Sequence, residues 1–442
     1  MLVLKKTRKK IRLFKLLNIF LPLFVTAVLF NACGGGSGAG NGNEDSEKET
    51  QEDKWTQSAI GNSLGSGGLL SPRVSAAMGS DGNIHIAYFD DSDTNATDYV
   101  LNYIVTDIST LGGSAETVIS VDNTSALSLS LGPDNSPVVA YQGGEVRECN
   151  NEKRSDAMFS VRQSGGWNEY TGAIGVVARN PTLPDGLAGK ELSVVVDSAG
   201  FIHIAYQFFY EGCDEQNFTY PDIMYVKKDP NALATPVAEE VVEGNTYINN
   251  SLGIQNSAGT YASITLDSQG DPAIFYYATL SDGTTGLRVA RKKNNVWTPE
   301  WIETDCEIGD ISAARSGEDY LAVAYYVKSC KNKDDANLLR YAKEQSSAWV
   351  LQTVDDSVKA GNYCSLAFSS SGKPAIAYYA LESYSGRDLK DLYIAQLNEN
   401  SWDLEVVAST GDIGLYNNLL FDGESPIIIS YSGTDRTIYA FY

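Results

Sequence analysis

Ser365-Leu-Ala-Phe-Ser-Ser-Ser-Gly-Lys-Pro-Ala-Ile-Ala-Tyr-Tyr379 reads as two short strands joined by a tight turn. Ser365-Leu-Ala-Phe368 mixes small and apolar residues, and Ala375-Ile-Ala-Tyr378 is an unbroken apolar run. Between them, Ser370-Ser-Gly-Lys373 places glycine where a hairpin turn needs a positive φ. Pro374 opens the second strand, where a missing N–H is tolerated.

The second half of this stretch occurs seven times in all. The other copies are Ile84-His-Ile-Ala-Tyr88, Val138-Val-Ala-Tyr141, Ile202-His-Ile-Ala-Tyr206, Ala273-Ile-Phe-Tyr276, Leu321-Ala-Val-Ala-Tyr325 and Ile427-Ile-Ile-Ser-Tyr431. The closing tyrosines are 53, 65, 70, 49, 53 and 53 residues apart, which indicates an array of supersecondary units and not a row of separate domains. After each phrase a loop of variable length leads to a third strand. A fourth often opens on tryptophan, at Trp167, Trp297, Trp349 and Trp402. Four antiparallel strands per repeat predict an all-β, seven-bladed β-propeller.

The seventh repeat reaches Tyr442 with three strands. Its fourth is expected at the other end of the chain, where Lys54-Trp-Thr-Gln-Ser-Ala-Ile60 has the pattern of Ser401-Trp-Asp-Leu-Glu-Val-Val407. A strand at about residues 54–61 should therefore complete the last blade. Closing the ring in this way removes the open sheet edge that would otherwise invite aggregation.

Upstream of the repeats the composition changes twice. Residues 1–32 carry a basic start, with Lys5, Lys6, Arg8, Lys9, Lys10, Arg12 and Lys15, and then an apolar run that ends in Asn31-Ala32-Cys33. This has the n-region, h-region and small-residue order of a secretory signal, and its apolar run is shorter than the ~20 residues of a spanning helix. With a cysteine directly after Ala32, it resembles a bacterial lipoprotein signal. The resemblance implies cleavage before Cys33, a lipid (acyl) chain on that thiol, and a membrane anchor in the cell envelope. Gly34 stands where an inner-membrane retention signal would have Asp, so the expected address is the outer membrane of a Gram-negative cell, facing the periplasm or the surface. Residues 33–53 follow as an expected tether, rich in Gly, Ser and acids and without branched apolar residues. The propeller is expected over residues 54–442.

Charge removes several functions from consideration. The 442 residues include 33 basic and 56 acidic side chains, a net of −23. Seven of the basic residues lie in the signal, which leaves 26 − 56 = −30 on the expected mature chain. Such a surface repels phosphate and argues against a nucleic-acid partner. With only 2 histidines, a His-based catalytic or zinc centre is not expected either.

Ser365–Tyr379 and Gly411-Asp-Ile-Gly-Leu-Tyr-Asn-Asn-Leu-Leu-Phe-Asp422 resemble the propeller repeats of bacterial secreted proteins and lipoproteins grouped with the sialidase-like (BNR-like) superfamily. The resemblance covers nearly everything from residue 54 onward and implies the fold. It implies almost nothing about activity.

Candidate functional residues lie on the face formed by the second-to-third-strand loops and the blade-to-blade connections. The long loops at 90–98, 143–156, 208–222, 328–337 and 381–390 are where a rigid scaffold carries function. Cys149, Cys213, Cys306, Cys330 and Cys364 all map there and predict disulfides in an oxidising compartment. Cys149–Cys213 and Cys306–Cys330 are candidate pairs, with Cys364 either left free or replacing Cys306. Tyr88, Tyr141, Tyr206, Tyr276, Tyr325, Tyr378 and Tyr431 are weighed between a sugar-stacking lining and blade-to-blade packing, and packing is favoured. Asp91, Asp93 and Asn95 have the spacing of a calcium loop but lack its glycine and distal glutamate, so an ordinary loop is favoured and no cofactor is expected. Arg73, Arg147 and Arg436 fall on the same face and keep an anion receptor in view.

The function expected is therefore a membrane-anchored binding module for a glycan or a protein partner. The alternatives are a sialidase-like glycoside hydrolase with a divergent site, or a structural envelope scaffold.

Overall fold

The computed structural model describes residues 54–60, 73–90, 99–121, 126–143, 148–149, 152–153, 156–173, 186–210, 221–237, 239–244, 257–331, 335–357, 359–384 and 387–442. Cys33 and the rest of the signal and tether lie outside them, as do Asp91, Asp93, Asn95, Arg147 and Cys213. Among the described residues every helix-or-strand element is a strand.

The strands form seven four-stranded sheets, each antiparallel with neighbours in line, and one short hairpin of Glu148–Cys149 with Glu152–Lys153. The blade containing the opening stretch runs Lys359–Phe368, Pro374–Tyr384, Arg387–Asn398, Ser401–Ala408. Ser365 pairs with Ala377 and Phe368 with Pro374. At the turn, Gly372 has a φ of 80° and donates its N–H to the Ser369 carbonyl at 2.9 Å.

Burial explains the two kinds of sequence pattern. Second strands such as Ile84–Asp90 and Pro137–Gly143 are buried at nearly every position, because both faces meet a neighbouring blade. They read as unbroken apolar runs for that reason. Outer strands such as Ser401–Ala408 lie at the rim and mix exposed with half-buried positions.

Among the described residues the buried apolar side chains fall into seven clusters, one at each interface between consecutive blades. The outer-strand tryptophans reach back across these interfaces. Trp167, Trp297, Trp349 and Trp402 stand edge-on to Tyr103, Tyr225, Phe275 and Tyr341 of the preceding blade. Trp297, Trp349 and Trp402 also donate an indole N–H to Glu240, Glu300 and Gln352 on the preceding outer strand.

A belt of hydrogen bonds runs round the innermost strands. Ser75, Ser128, Ser193, Ser263, Ser312 and Ser365 each accept a backbone N–H from the next blade's inner strand at 2.9 to 3.2 Å. In the last blade Asn418 replaces serine. Its Oδ1 accepts from the Ala76 N–H at 2.9 Å, and its Nδ2 donates to the Val74 carbonyl at 3.2 Å. The belt therefore closes across the seam between last and first blades.

The seam blade is completed as the sequence predicts. Gln57–Ile60 pairs antiparallel with Thr437–Phe441, with Gln57 opposite Phe441 and Ile60 opposite Ile438. Trp55 donates to Glu405 of the preceding outer strand at 2.8 Å, as the other outer-strand tryptophans do. Lys54 pairs with the same carboxylate.

Candidate functional site

The seven tyrosines that close the second strands are all buried, from fully buried Tyr141, Tyr206, Tyr276, Tyr325 and Tyr378 to Tyr88 at 7 % and Tyr431 at 4 % exposed. The hydroxyls of Tyr141, Tyr206, Tyr276, Tyr325 and Tyr378 donate to Glu169, Glu239, Glu243, Glu303 and Asp355 at 2.6 to 2.8 Å. Tyr276, Tyr325 and Tyr378 thereby clasp the end of the preceding blade's outer strand. Arg288 and Arg340 join two of these clasps through Glu243 and Glu303. Burial raises the hydroxyls of Tyr141, Tyr276, Tyr325 and Tyr378 well above their ordinary range, so they stay protonated as donors. Packing is the role this burial serves, and these rings offer no face to a ligand.

Cys306 and Cys330 form a disulfide that ties the start of an inner strand to the end of its neighbour. Cys364 is a free, buried thiol whose pKa is pushed up by burial, then by nearby Asp310. Cys149 sits in the short hairpin and its presumed partner Cys213 is outside the described residues. Arg436 lies in the turn before Thr437–Phe441 with a φ of 57°.

The site that the geometry builds lies at a position the repeats do not advertise. Two residues before each belt residue stand Arg73, Ala126, Glu191, Tyr261, Asp310, Tyr363 and Tyr416, one from each blade. All seven line one cavity of about 210 Å³. A cavity walled by the innermost strand region of every blade lies on the ring axis.

Backbone distortion brings these side chains to the axis. The inner strands of five blades carry register irregularities just before the belt residue, between Lys190 and Ser193, Thr260 and Ser263, Ile308 and Ile311, Asn362 and Ser365, and Leu415 and Asn418. An extra residue in one strand bends it and redirects a side chain. At four of these bulges the redirected residue has a left-handed backbone: Glu191 (46°), Tyr261 (57°), Tyr363 (50°) and Tyr416 (53°). For an L-residue with a bulky side chain this costs about 1 kcal/mol or more. Gly361 (φ 118°) allows the chain to enter the bulge at Tyr363, since a Cβ there would stand 3.2 Å from Tyr326 of the preceding blade.

The cavity mixes aromatic faces with both signs of charge. Tyr363 and Tyr416 have ring centres 4.7 Å apart, and the Arg73 guanidinium lies 5.8 Å from the Tyr416 ring centre. The Tyr261 hydroxyl accepts from Lys328 at 3.0 Å. Asp310 accepts the Tyr363 backbone N–H at 2.7 Å. Burial nevertheless raises the Asp310 pKa, against that N–H and the charges of Arg73 and Lys328. Asn417, 8 % exposed, donates its Nδ2 to the Tyr363 carbonyl at 3.1 Å, while its buried Oδ1 has no hydrogen-bond partner.

Of the three candidate arginines, Arg73 lines this cavity. A broader groove of about 870 Å³ crosses the opposite, turn-bearing face of the first three blades. Its Arg162 is already held by both oxygens of Glu116 at 2.8 Å, and its walls are mostly turn residues and valines.

The axial residues were hidden because their identities differ from blade to blade. A signal was nevertheless present: Gly-x-(Tyr/Glu)-x-(Ser/Asn) occurs at 189–193, 259–263, 361–365 and 414–418.

No protein-family model matches the chain, and no curated protein is similar to it. Solved structures with some likeness include a protein of unknown function from Dyadobacter fermentans (9% identity, TM-score 0.49, covering 87% of this chain and 96% of that one). A Hadza microbial sialidase has 12% identity and a TM-score of 0.49, over 78% of this chain and 72% of that one. A Trypanosoma rangeli sialidase has 12% identity and a TM-score of 0.45, over 74% of this chain and 55% of its own. At TM-scores below 0.5 these likenesses carry nothing about chemistry. The order of its own strands makes the chain a seven-bladed β-propeller.

Proposed function

We propose that this chain is a lipid-anchored envelope protein whose propeller is a glycan-binding module, with the axial cavity as its ligand site. One observation carries the reading: left-handed Tyr261, Tyr363 and Tyr416 all line a single cavity. Strained positions persist where the surrounding fold enforces them, and they gather at binding sites. Aromatic rings stack on the apolar faces of sugars, and Arg73 and Asp310 supply hydrogen bonds to hydroxyls. Lipid on Cys33 would hold the module at the membrane, and residues 34–53 would give it reach.

The detergent-solubilised full chain, fluorescently labelled, can be screened on a glycan array beside its Tyr416→Ala variant. Selective binding by the parent and its loss in the variant is expected. Binding that survives Tyr416→Ala would place the ligand elsewhere. For the anchor, Cys33→Ser should move the protein from the membrane fraction to the soluble one, and continued membrane retention would refute lipidation.

A further inference from the structure

We infer that the axial cavity takes the terminal ring of a neutral glycan and discriminates against acidic sugars. The inference rests on the reading of that cavity as the ligand site. Size sets the first limit. About 210 Å³ is some seven liquid-water volumes of ~30 Å³ and falls below the ~300 Å³ at which pockets hold drug-sized ligands. One sugar ring is the scale that fits. Walls from all seven blades set the cavity on the axis, so the end of a chain is the part proposed to enter.

Charge sets the second limit. Among the described lining residues, one guanidinium, that of Arg73, stands with two carboxyl groups, those of Glu191 and Asp310. Lys328 is engaged by the Tyr261 hydroxyl at 3.0 Å and by Glu307 at 3.7 Å. An acidic sugar would bring its carboxylate against this acidic wall. A cationic ligand would compete with Arg73 for the Tyr416 face. A neutral polyol meets neither obstacle, since hydroxyls both donate and accept.

Hydroxyl groups of one ring can accept from Arg73. The rings of Tyr363 and Tyr416, with centres 4.7 Å apart, offer an apolar surface to the C–H face of the sugar.

The test uses the full chain in detergent micelles with four probes: the methyl glycosides of galactose, glucose, N-acetylglucosamine and N-acetylneuraminic acid. Calorimetric titration should show at least one neutral glycoside binding about tenfold or more tighter than the acidic one, a difference of ~1.4 kcal/mol. Tyr363→Ala should abolish that binding, and Arg73→Ala, outside the strand, should weaken it without touching the bulges. Asp310→Asn should narrow the gap between neutral and acidic probes. If the acidic glycoside binds as tightly or tighter, and Tyr363→Ala abolishes it, the neutral-sugar inference falls while the axial site stands. If a neutral glycoside binds undiminished in both Tyr363→Ala and Arg73→Ala, the axial site itself falls. Absence of binding by all four overturns the inference.

Discussion

Tyr363 holds a φ of 50° with an aromatic side chain, where glycine would be free of strain. In an ordinary strand, replacing alanine with glycine weakens the fold by roughly 0.5–1 kcal/mol. At this position the order should invert. Tyr363→Gly is expected to be about 1 kcal/mol more stable than Tyr363→Ala in chemical denaturation, while both lose ligand. A glycine variant less stable than the alanine one would show that the left-handed backbone carries no strain. This residue also shows where reading the sequence fell short. The strand-ending tyrosines attract attention because they recur, and the structure buries them. The axial position varies through Arg, Ala, Glu, Tyr, Asp, Tyr and Tyr, so the side chains there do not repeat and only the glycine-led pattern of four blades marks the place. In five blades a bulge brings such unlike residues into one wall.

The strand scale was far more legible. Turn glycine, leading proline and an apolar phrase locate the first two strands of each blade, because local φ requirements and two-sided burial act directly on residue type. The belt was not legible from Ser365 or its counterparts, since a small polar residue in a strand does not reveal that its hydroxyl reaches another sheet. In the fifth blade, belt and covalent link act on one inner strand, Cys306–Arg315. The Cys306–Cys330 bond spans a sequence separation of 24. On the chain-entropy account such a loop is worth about 3 kcal/mol. A Cys306→Ser/Cys330→Ser double variant is expected to lose about that much and to melt several degrees lower, with the axial cavity intact. An unchanged denaturation midpoint would mean that the blade interfaces already fix this strand without the cross-link.

Over the whole molecule, stability is divided among seven interfaces, and the two that flank the last blade depend on residues from both ends of the sequence. Ile60 is 2 % exposed in the cluster shared by the last and first blades, and burial of such a side chain stabilises by about 1.5–3 kcal/mol. Deleting residues 54–60 removes that contact and the tie from Trp55 to Glu405. It also bares Thr437–Phe441 as an unpaired edge. The shortened protein is expected to melt at a clearly lower temperature and to self-associate on sizing columns. Unaltered melting and a monomeric profile would show that the seventh blade stands on three strands. The same pairing has a consequence for biosynthesis. Gln57 precedes its partner Phe441 by almost the whole propeller, so the first strand of the propeller cannot dock until its last has been made. A chain lacking Thr437–Phe441 and one lacking Gln57–Ile60 would therefore both leave the last blade with an unpaired strand edge. A single surveillance step that recognises exposed strand edges would suffice to sort complete molecules from incomplete ones of either kind.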